Sequence, residues 1–381
     1  MSIKVLFITH VSEMGGANHS MCQLIKELKE TYSVIPVVLC PPKKSNINLQ
    51  DNLKEIGVEY LEFPIRFFKT KKPTLYLFFS YLKYLYRQRH FYKRLESYNF
   101  DIIHSNSSVI DIGGYLSKQL KCKHIWHLRE FGDLDYSLFP LGGKIYEKFG
   151  YSHADAYIAI SKAVEKHFAD KLSSRKIHLI YNGIKLVDSC FCSKHNSKNI
   201  NFICVGLIHP SKNQIEIVNA VNSLVNTRHC NNFHVTFVGI NTHPYTKLIK
   251  DLINQYQLES YFTILKEMDN IHSLLSSMDV GIMSSRSEAF GRVTIEYMLH
   301  NLLVIANDSG ANKELVNDGE TGIIYKSGDF EDLANKMNMI ITTPSIIEEL
   351  SHQALVYSNN NFLSMHNTMK VYNLYKTILK I

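Results

Sequence analysis

Hydrophobic runs and polar gaps alternate along this chain in a repeating order. Residues 3–9 form an apolar run that closes on Thr9 and His10. A loop carrying Gly15 and Gly16 follows, and Cys22, Leu24, Ile25 and Leu28 then recur at helical spacing. Residues 33–40 are a second apolar run. Strand, glycine turn, helix and strand in that order are the unit of a parallel sheet. The order continues with strands at 102–104, 123–128, 156–160 and 177–181, and helices at 113–120 and 162–169.

Residues 185–200 lose this periodicity and gain Ser, Asn, Lys and Cys, which reads as a linker. The same grammar then resumes. Strands are expected at 201–205, 233–238, 261–265, 280–283 and 303–306, and helices at 215–225, 245–256, 271–276, 292–299 and 329–341. The fold class is therefore α/β, with two doubly wound, Rossmann-like parallel-sheet domains facing a cleft. The expected boundaries are 1–184 and 201–361. Ligands in such sheets bind beyond the carboxyl ends of the strands, where the glycines and charges of this chain collect.

Composition narrows the class. At about 150 residues per domain, 381 residues suit two domains. Apolar residues at 45% and charged residues at 20% exclude a disordered, collagen-like or disulfide-scaffold chain. The first residues read as a strand rather than a signal peptide, and no apolar run is long enough for a membrane span. Seven cysteines, an odd number with no C-x-x-C, fit free thiols in a reducing compartment. Cys190 and Cys192 lie in the expected linker and have no nearby metal partners. A cytoplasmic protein is expected.

The net charge of +7 has a location. Residues 66–94 carry nine Lys/Arg and no Asp/Glu, interleaved with aromatic residues such as Phe67, Phe68, Tyr76, Phe79, Tyr84 and Tyr86. Tyr76–Leu85 could set an apolar stripe beside Lys83, Arg87 and Arg89. Two readings stand side by side: a helix lying on an anionic membrane surface, and a core-packed helix with a solvated basic edge. No nucleic-acid motif accompanies the patch, so no nucleic-acid partner is expected.

Four segments could carry chemistry. The densest is Glu288–Glu296, two carboxylates seven residues apart across a strand-to-helix junction. Gly291 permits close backbone approach there, and amides that open a helix bind phosphate. Glu288 could hold sugar hydroxyls, and Glu296 a ribose diol. The second is Val205–Gln214, where a strand ends in Gly206 and Lys212 precedes a helix, well placed as a point charge for a diphosphate. The third, Glu13-Met14-Gly15-Gly16-Ala17, is no dinucleotide fingerprint; it is either a phosphate- or sugar-contacting loop or a simple turn. The fourth is Trp126–Glu130 at a strand end, where His127 could bind a substrate hydroxyl or shuttle a proton. Asp133-Leu134-Asp135 has a metal–diphosphate form but is too short to assign.

Together these residues resemble the retaining group 1 (family 4) glycosyltransferases of the GT-B fold. Glu288 and Glu296 match that family's E-x7-E motif, supported by residues 306–315 and 318–322. Val205-Gly206 with Lys212 matches its donor-phosphate loop, Gly15-Gly16-Ala17 its N-terminal glycine loop, and His127 its active-site histidine. Ser161, Asn182-Gly183 and the last segment, 362–381, also match. The last is the helix expected to pack back on the N-terminal domain.

The resemblance implies His127, Glu288 and Lys212 as catalytic groups. It implies a donor site of Gly15, Gly16, Gly206, Lys212, Glu288, Phe290, Gly291, Arg292, Val293 and Glu296. Arg129 and Glu130 would meet the acceptor. The C-terminal domain would hold a nucleoside-diphosphate sugar, a UDP-sugar ahead of a GDP-sugar, with no cofactor and no metal. The N-terminal domain would take a glycan or lipid-linked glycan of a bacterial capsule, exopolysaccharide or lipopolysaccharide, at the inner face of the plasma membrane. One position departs from the family: Leu207 stands where an Arg is common, and Arg292 is the expected substitute charge. A nucleotide-sugar epimerase and a non-catalytic partner subunit share the fold and remain the alternatives.

Overall fold

The computed structural model describes residues 2–43, 48–87, 91–172, 176–185, 199–240, 244–266, 268 and 270–381. The chain divides into two compact units, 1–185 with 364–381 and 186–363. Apart from its ends, the linker expected over 185–200, with Cys190 and Cys192, lies outside the described residues, as does Arg89.

The first unit is built on a seven-stranded sheet. Its strands are β1 (Lys4–Ile8), β2 (Ile35–Cys40), β3 (Glu59–Glu62), β4 (Ile102–Ser105), β5 (Lys123–Leu128), β6 (Ala156–Ala159) and β7 (Ile177–Leu179). Their spatial order is β3-β2-β1-β4-β5-β6-β7, with every neighbouring pair parallel. The second unit repeats the plan with β8 (Ile200–Val205), β9 (Phe233–Val238), β10 (Phe262–Leu265), β11 (Val280–Met283), β12 (Leu303–Asn307) and β13 (Ile323–Tyr325). Its order is β10-β9-β8-β11-β12-β13, again all parallel. Both are doubly wound sheets. Their direction of winding reverses between β1 and β4, and between β8 and β11, which opens a crevice at the carboxyl ends of those strands.

The central strands are buried on both faces, which is why they read as continuous apolar runs. Val5, Leu6, Phe7 and Ile8 are each fully buried, as are Val304, Ile305 and Ala306. The strands missing from the sequence reading, β3 and β13, lie at sheet edges. β3 is Glu-Tyr-Leu-Glu and β13 only Ile-Ile-Tyr, too polar or too short to register as apolar runs.

The final helix, Ser364–Leu379, belongs to the first unit. It packs on the helix Gly16–Tyr32, with Tyr372 stacked on Tyr32 at 4.3 Å. Glu27 accepts hydrogen bonds from Ser364 and from Thr368 Oγ1, the latter at 2.6 Å. Gly183 permits this approach, because a Cβ there would stand 2.4 Å from Ser364 Cα. Val371, Leu374 and Tyr375 complete the core formed by Val5, Phe7, Met21, Ile25 and Ile102.

Part of the basic aromatic stretch is core. Lys69 is not a surface cation: it is 3% exposed, paired with Glu147 at 2.8 Å, in a short antiparallel ribbon of Lys69–Thr70 with Phe139–Pro140. Phe68 is fully buried. The helix Leu75–Arg87 buries only Tyr81 and Tyr84 and exposes Leu75, Tyr76, Phe79 and Tyr86. Among the described residues no helix is long and apolar enough to cross a membrane.

Leu374 is 6% exposed in the core that the last helix closes. Leu374→Ala is expected to destabilise the first unit by about 2–5 kcal/mol. Denaturant unfolding followed by near-UV circular dichroism would show an earlier first transition; an unchanged curve would mean the helix is not part of that core.

Candidate functional site

In the second unit the crevice between β8 and β11 is walled by two loops. Residues 206–213 lead from β8 into the helix Gln214–Asn222, and 284–291 lead from β11 into the helix Arg292–Leu299. Two hydrogen bonds join them: Arg286 donates its amide to the Ser211 carbonyl at 2.9 Å, and Ser284 Oγ donates to the Lys212 carbonyl at 2.8 Å. Lys212 Nζ meets Glu288 Oε2 at 2.7 Å, with the carboxylate side chain 13% and the ammonium side chain 33% exposed. Glu288 Oε1 turns back to accept the Gly291 amide at 3.1 Å.

Burial alone would lift the Glu288 pKa. The Lys212 ammonium, the Ser285 side chain and the Gly291 amide outweigh it, and the carboxyl lies below its ordinary value. A third loop braces this one. Asn307 Nδ2 and Ser309 Oγ both donate to the Ser285 carbonyl, at 2.8 and 2.7 Å. Gly310, at φ +55°, lies so close that a Cβ would stand 2.2 Å from the Glu288 carbonyl oxygen. The glycine is required by that approach and by its left-handed backbone.

Glu296 is held by Arg292, whose Nε donates to Glu296 Oε1 at 2.8 Å along the helix. Arg292, expected to replace the charge absent at Leu207, thus has the second carboxylate of the pair as its partner. Sequence reasoning missed Arg286. It is exposed, and its Nη2 reaches Asn213 Oδ1 at 3.3 Å, beside the loop that carries Lys212. A cation two residues before Glu288 in the same loop was the available signal. Phe290 is buried, with its ring 6.2 Å from Phe362, so its observed role is to anchor the loop in the core. Val293 is half-buried, and Leu207 is 41% exposed.

In the first unit, Gly15 caps the helix Gly16–Tyr32 without a side-chain bond. Thr9 Oγ1 donates to Asn18, which in turn donates to the Val11 and Glu13 carbonyls and fixes the loop. A Cβ at Gly15 or Gly16 would meet nothing within 4 Å. Among the described residues, packing does not require these glycines.

His127, at the end of β5, is fully buried in a chain of three groups. Its Nδ1 lies 3.0 Å from His104 Nε2, and His104 Nδ1 lies 2.6 Å from the Tyr375 hydroxyl. His127 Nε2 has no partner among the described residues. Burial, reinforced by the Arg129 guanidinium, holds both imidazoles well below their usual pKa, so both are neutral. With Tyr375 donating, His104 donates from Nε2, and His127 carries its own proton on Nε2. His10, after β1, was also missed. Its Nδ1 is buried without a partner among the described residues, and burial lowers its pKa to about 4.

Arg129 and Glu130, expected to face an acceptor, are both 7% exposed and bound to the chain's own groups. Arg129 Nε donates to Asn106 Oδ1 at 2.8 Å, and its guanidinium also bonds Asn182. Glu130 accepts the Ser107 hydroxyl, the Ser108 amide at 2.7 Å and the Ser108 hydroxyl at 3.1 Å. Their observed work is to fix the loop after β4. Ser161 caps its helix by accepting the Val164 amide at 3.0 Å. Asp133 pairs with His167 at 3.0 Å, and Asp135 accepts the Phe131 and Gly132 amides.

Comparison with known proteins agrees along the chain. Residues 14–187 match the family model described as Glycosyltransferase Family 4, and residues 191–356 match the one described as Glycosyl transferases group 1. An uncharacterized glycosyltransferase of Methanocaldococcus jannaschii is 25% identical over 269 residues, 69% of this chain and 72% of that protein. The capsular polysaccharide biosynthesis glycosyltransferase CapM of Staphylococcus aureus is 32% identical over 118 residues, 31% of each chain. Among solved structures, Anabaena HepE in complex with UDP and glucose superposes with a TM-score of 0.80 at 19% identity, covering 98% of this chain and 100% of that one. The two family models follow one another along the sequence. The chain belongs to the group 1 glycosyltransferases of GT-B fold.

The buried imidazoles make stability depend on pH. His10 and His124 are lowered by burial from 6.5 to about 4, and His104 and His127 lie well below 6.5. Between those values the unfolded chain binds protons that the fold refuses. Each ring's contribution to stability therefore falls as pH drops below about 6.5, by up to about 1.4 kcal/mol per pH unit, while Asp111, Glu130, Asp135 and Glu216, whose carboxyls burial raises, contribute in the opposite sense. Imidazole C–H resonances followed by NMR from pH 8 to pH 5 are expected to stay at their neutral positions for these four rings; titration near 6.5 would mean that burial does not hold them neutral.

Proposed function

We propose that this group 1 glycosyltransferase moves a hexose-type sugar from a nucleoside-diphosphate sugar, with retention at the anomeric carbon, to a glycan or lipid-linked glycan during cell-surface polysaccharide assembly. The observation that carries the donor half is the Lys212–Glu288 pair at the β8/β11 crevice, with Glu288 on the loop that leads into the helix carrying Glu296. A diphosphate brings its own negative charge to Lys212 and frees Glu288 to accept hydrogen bonds from the donor sugar. Glu296, released from Arg292, accepts the ribose hydroxyls. UDP is favoured as the nucleotide, because HepE holds it in its solved complex.

In this reading the leaving diphosphate is stabilised by fixed charge. Lys212 supplies the ammonium, and the amides near Gly291 and Arg292 supply helix-start donors. Within the first unit, the open start of the helix Gly16–Tyr32 and His127, neutral and carrying its proton on Nε2, are donors available to a sugar or phosphate oxygen. A neutral imidazole suits that role, since it binds an oxygen without adding charge to the buried strand end. The acceptor hydroxyl attacks from the face the diphosphate leaves. The departing oxygen takes the acceptor's proton, so no enzymic nucleophile and no metal are needed.

The first unit would take the acceptor. The exposed Leu75, Tyr76, Phe79 and Tyr86, with Lys83 and Arg87 on the same helix, support peripheral attachment to an anionic membrane. CapM, the matching capsular enzyme, supports the polysaccharide context.

A thermal-shift panel of UDP, GDP, ADP and CMP tests the donor site. UDP at 100 times its Kd is expected to add about 2.7 kcal/mol of stability, and Glu296→Ala to abolish the shift. Product made from a UDP-sugar should keep the donor's anomeric configuration by NMR. Silence across the panel would overturn the reading in favour of a non-catalytic partner subunit. Turnover of the UDP-sugar without acceptor would do so in favour of an epimerase.

Arg286→Ala and Arg292→Ala separate the two candidate substitutes for the arginine absent at Leu207. Loss of the one that binds phosphate should raise the donor KM about 10- to 100-fold. If both leave KM unchanged, Lys212 and the amides carry the diphosphate without a guanidinium.

A further inference from the structure

The helix Leu75–Arg87 presents two stripes. Leu75, Phe79, Leu82 and Tyr86 recur at spacings of four, three and four, and all are exposed. Tyr76, Ser80, Lys83 and Arg87 form a neighbouring stripe at the same spacings. Between this second stripe and the segment Pro64–Arg66 lies a groove of about 580 Å³. Arg66, Lys83 and Arg87 line it, with no carboxylate among the lining residues.

The groove is partly organised. The Arg66 guanidinium lies over the Tyr84 ring at 5.4 Å, with Nη1 3.4 Å from Ser80 Oγ, and the Arg66 amide donates to the Tyr84 hydroxyl at 3.3 Å. None of the ion pairs among the described residues includes Arg66, Lys83 or Arg87. Three cations therefore face one small volume without a counter-charge among the described residues. Their mutual repulsion favours a multivalent anion. An arginine stacked on a tyrosine is held in the orientation that presents its fork to phosphate oxygens. The apolar stripe beside the groove is what an alkyl chain would cover, so headgroup and tail are matched by adjacent faces of one helix.

We propose that this groove binds the phosphate or diphosphate of a lipid-linked acceptor, with the lipid chain leaving along the Leu75–Phe79–Leu82–Tyr86 stripe. The proposal rests on the transferase reading for the word acceptor, but the site itself lies wholly within the first unit. It is distinct from Arg129 and Glu130, which are buried in the loop after β4. It gives the cations of residues 66–94 two different tasks: Lys69 closes a buried ion pair, and Arg66, Lys83 and Arg87 hold a ligand.

The test is vesicle co-flotation of the full chain. The vesicles are phosphatidylcholine alone, phosphatidylcholine with polyprenyl monophosphate, and phosphatidylcholine with phosphatidylglycerol at matched charge. Polyprenyl phosphate vesicles are expected to bind at least tenfold more tightly than phosphatidylglycerol vesicles, and millimolar inorganic pyrophosphate to compete. The double variant Lys83→Glu with Arg87→Glu should lose that binding at least tenfold while keeping the UDP thermal shift, which shows that it is folded. Equal binding to the two anionic vesicles would overturn the proposal, leaving a general membrane patch. So would a double variant that binds as the parent does. Selective binding to polyprenyl phosphate in a protein silent to every nucleotide would sink the donor reading and leave the groove standing.

Discussion

The crevice of the second unit depends on one half-buried ion pair. Lys212 arrives on the loop after β8 and Glu288 on the loop after β11, and neither charge would sit there alone. Removing one partner of a buried pair leaves an uncompensated charge, a large penalty when burial is complete. Here Lys212 is a third exposed, so water screens part of the attraction and the penalty is smaller. The pair holds both side chains at the crevice, with the ammonium still in reach of solvent. The Arg286 amide, the Ser284 hydroxyl and the bracing by Asn307 and Ser309 fix the two loops relative to one another.

The first unit solves a different problem. It must place polar groups at the ends of buried strands without leaving them charged. His104 and His127 achieve this by bonding each other and Tyr375, and desolvation keeps the rings neutral. Tyr375 comes from the last helix, so the state of a strand-end imidazole depends on a residue far along the chain. The same helix closes the core and ties Glu27 through Ser364 and Thr368. The unit is therefore incomplete, both in packing and in electrostatics, until the chain's end has returned to it.

These two devices show what a sequence reading can reach. Doubly wound sheets were legible because buried parallel strands leave uninterrupted apolar runs, and because Gly206, Gly291 and Gly310 punctuate the strand-to-helix loops. The carboxylates at 288 and 296 and the lysine at 212 were legible because they sit at fixed distances from those punctuation marks. The edge strands β3 and β13 were not, since an edge strand can be short or polar and still pair. Nor was the destination of individual charges. Arg292 finds Glu296 one turn along its own helix. Lys69 has an ordinary basic neighbourhood in sequence and a buried partner, Glu147, in space. The partnership of His104 with Tyr375 spans 271 positions and leaves no local pattern.

The helix Leu75–Arg87 carries the same lesson to the surface. Its composition left two readings open because aromatic residues suit a core and a membrane equally well. The geometry separates the aromatic residues by angle. Tyr81 and Tyr84 point one way and are buried; Leu75, Phe79, Leu82 and Tyr86 point another and are exposed. A helix made for the core alone would not place four large apolar side chains in water, where each forgoes about 1.5–3 kcal/mol of burial. The same helix sets Lys83 and Arg87 beside Arg66 of the preceding segment, over a groove that no carboxylate lines. Apolar and cationic stripes on adjacent faces of one helix follow from the spacing of residues 75–87, not from the composition of the stretch.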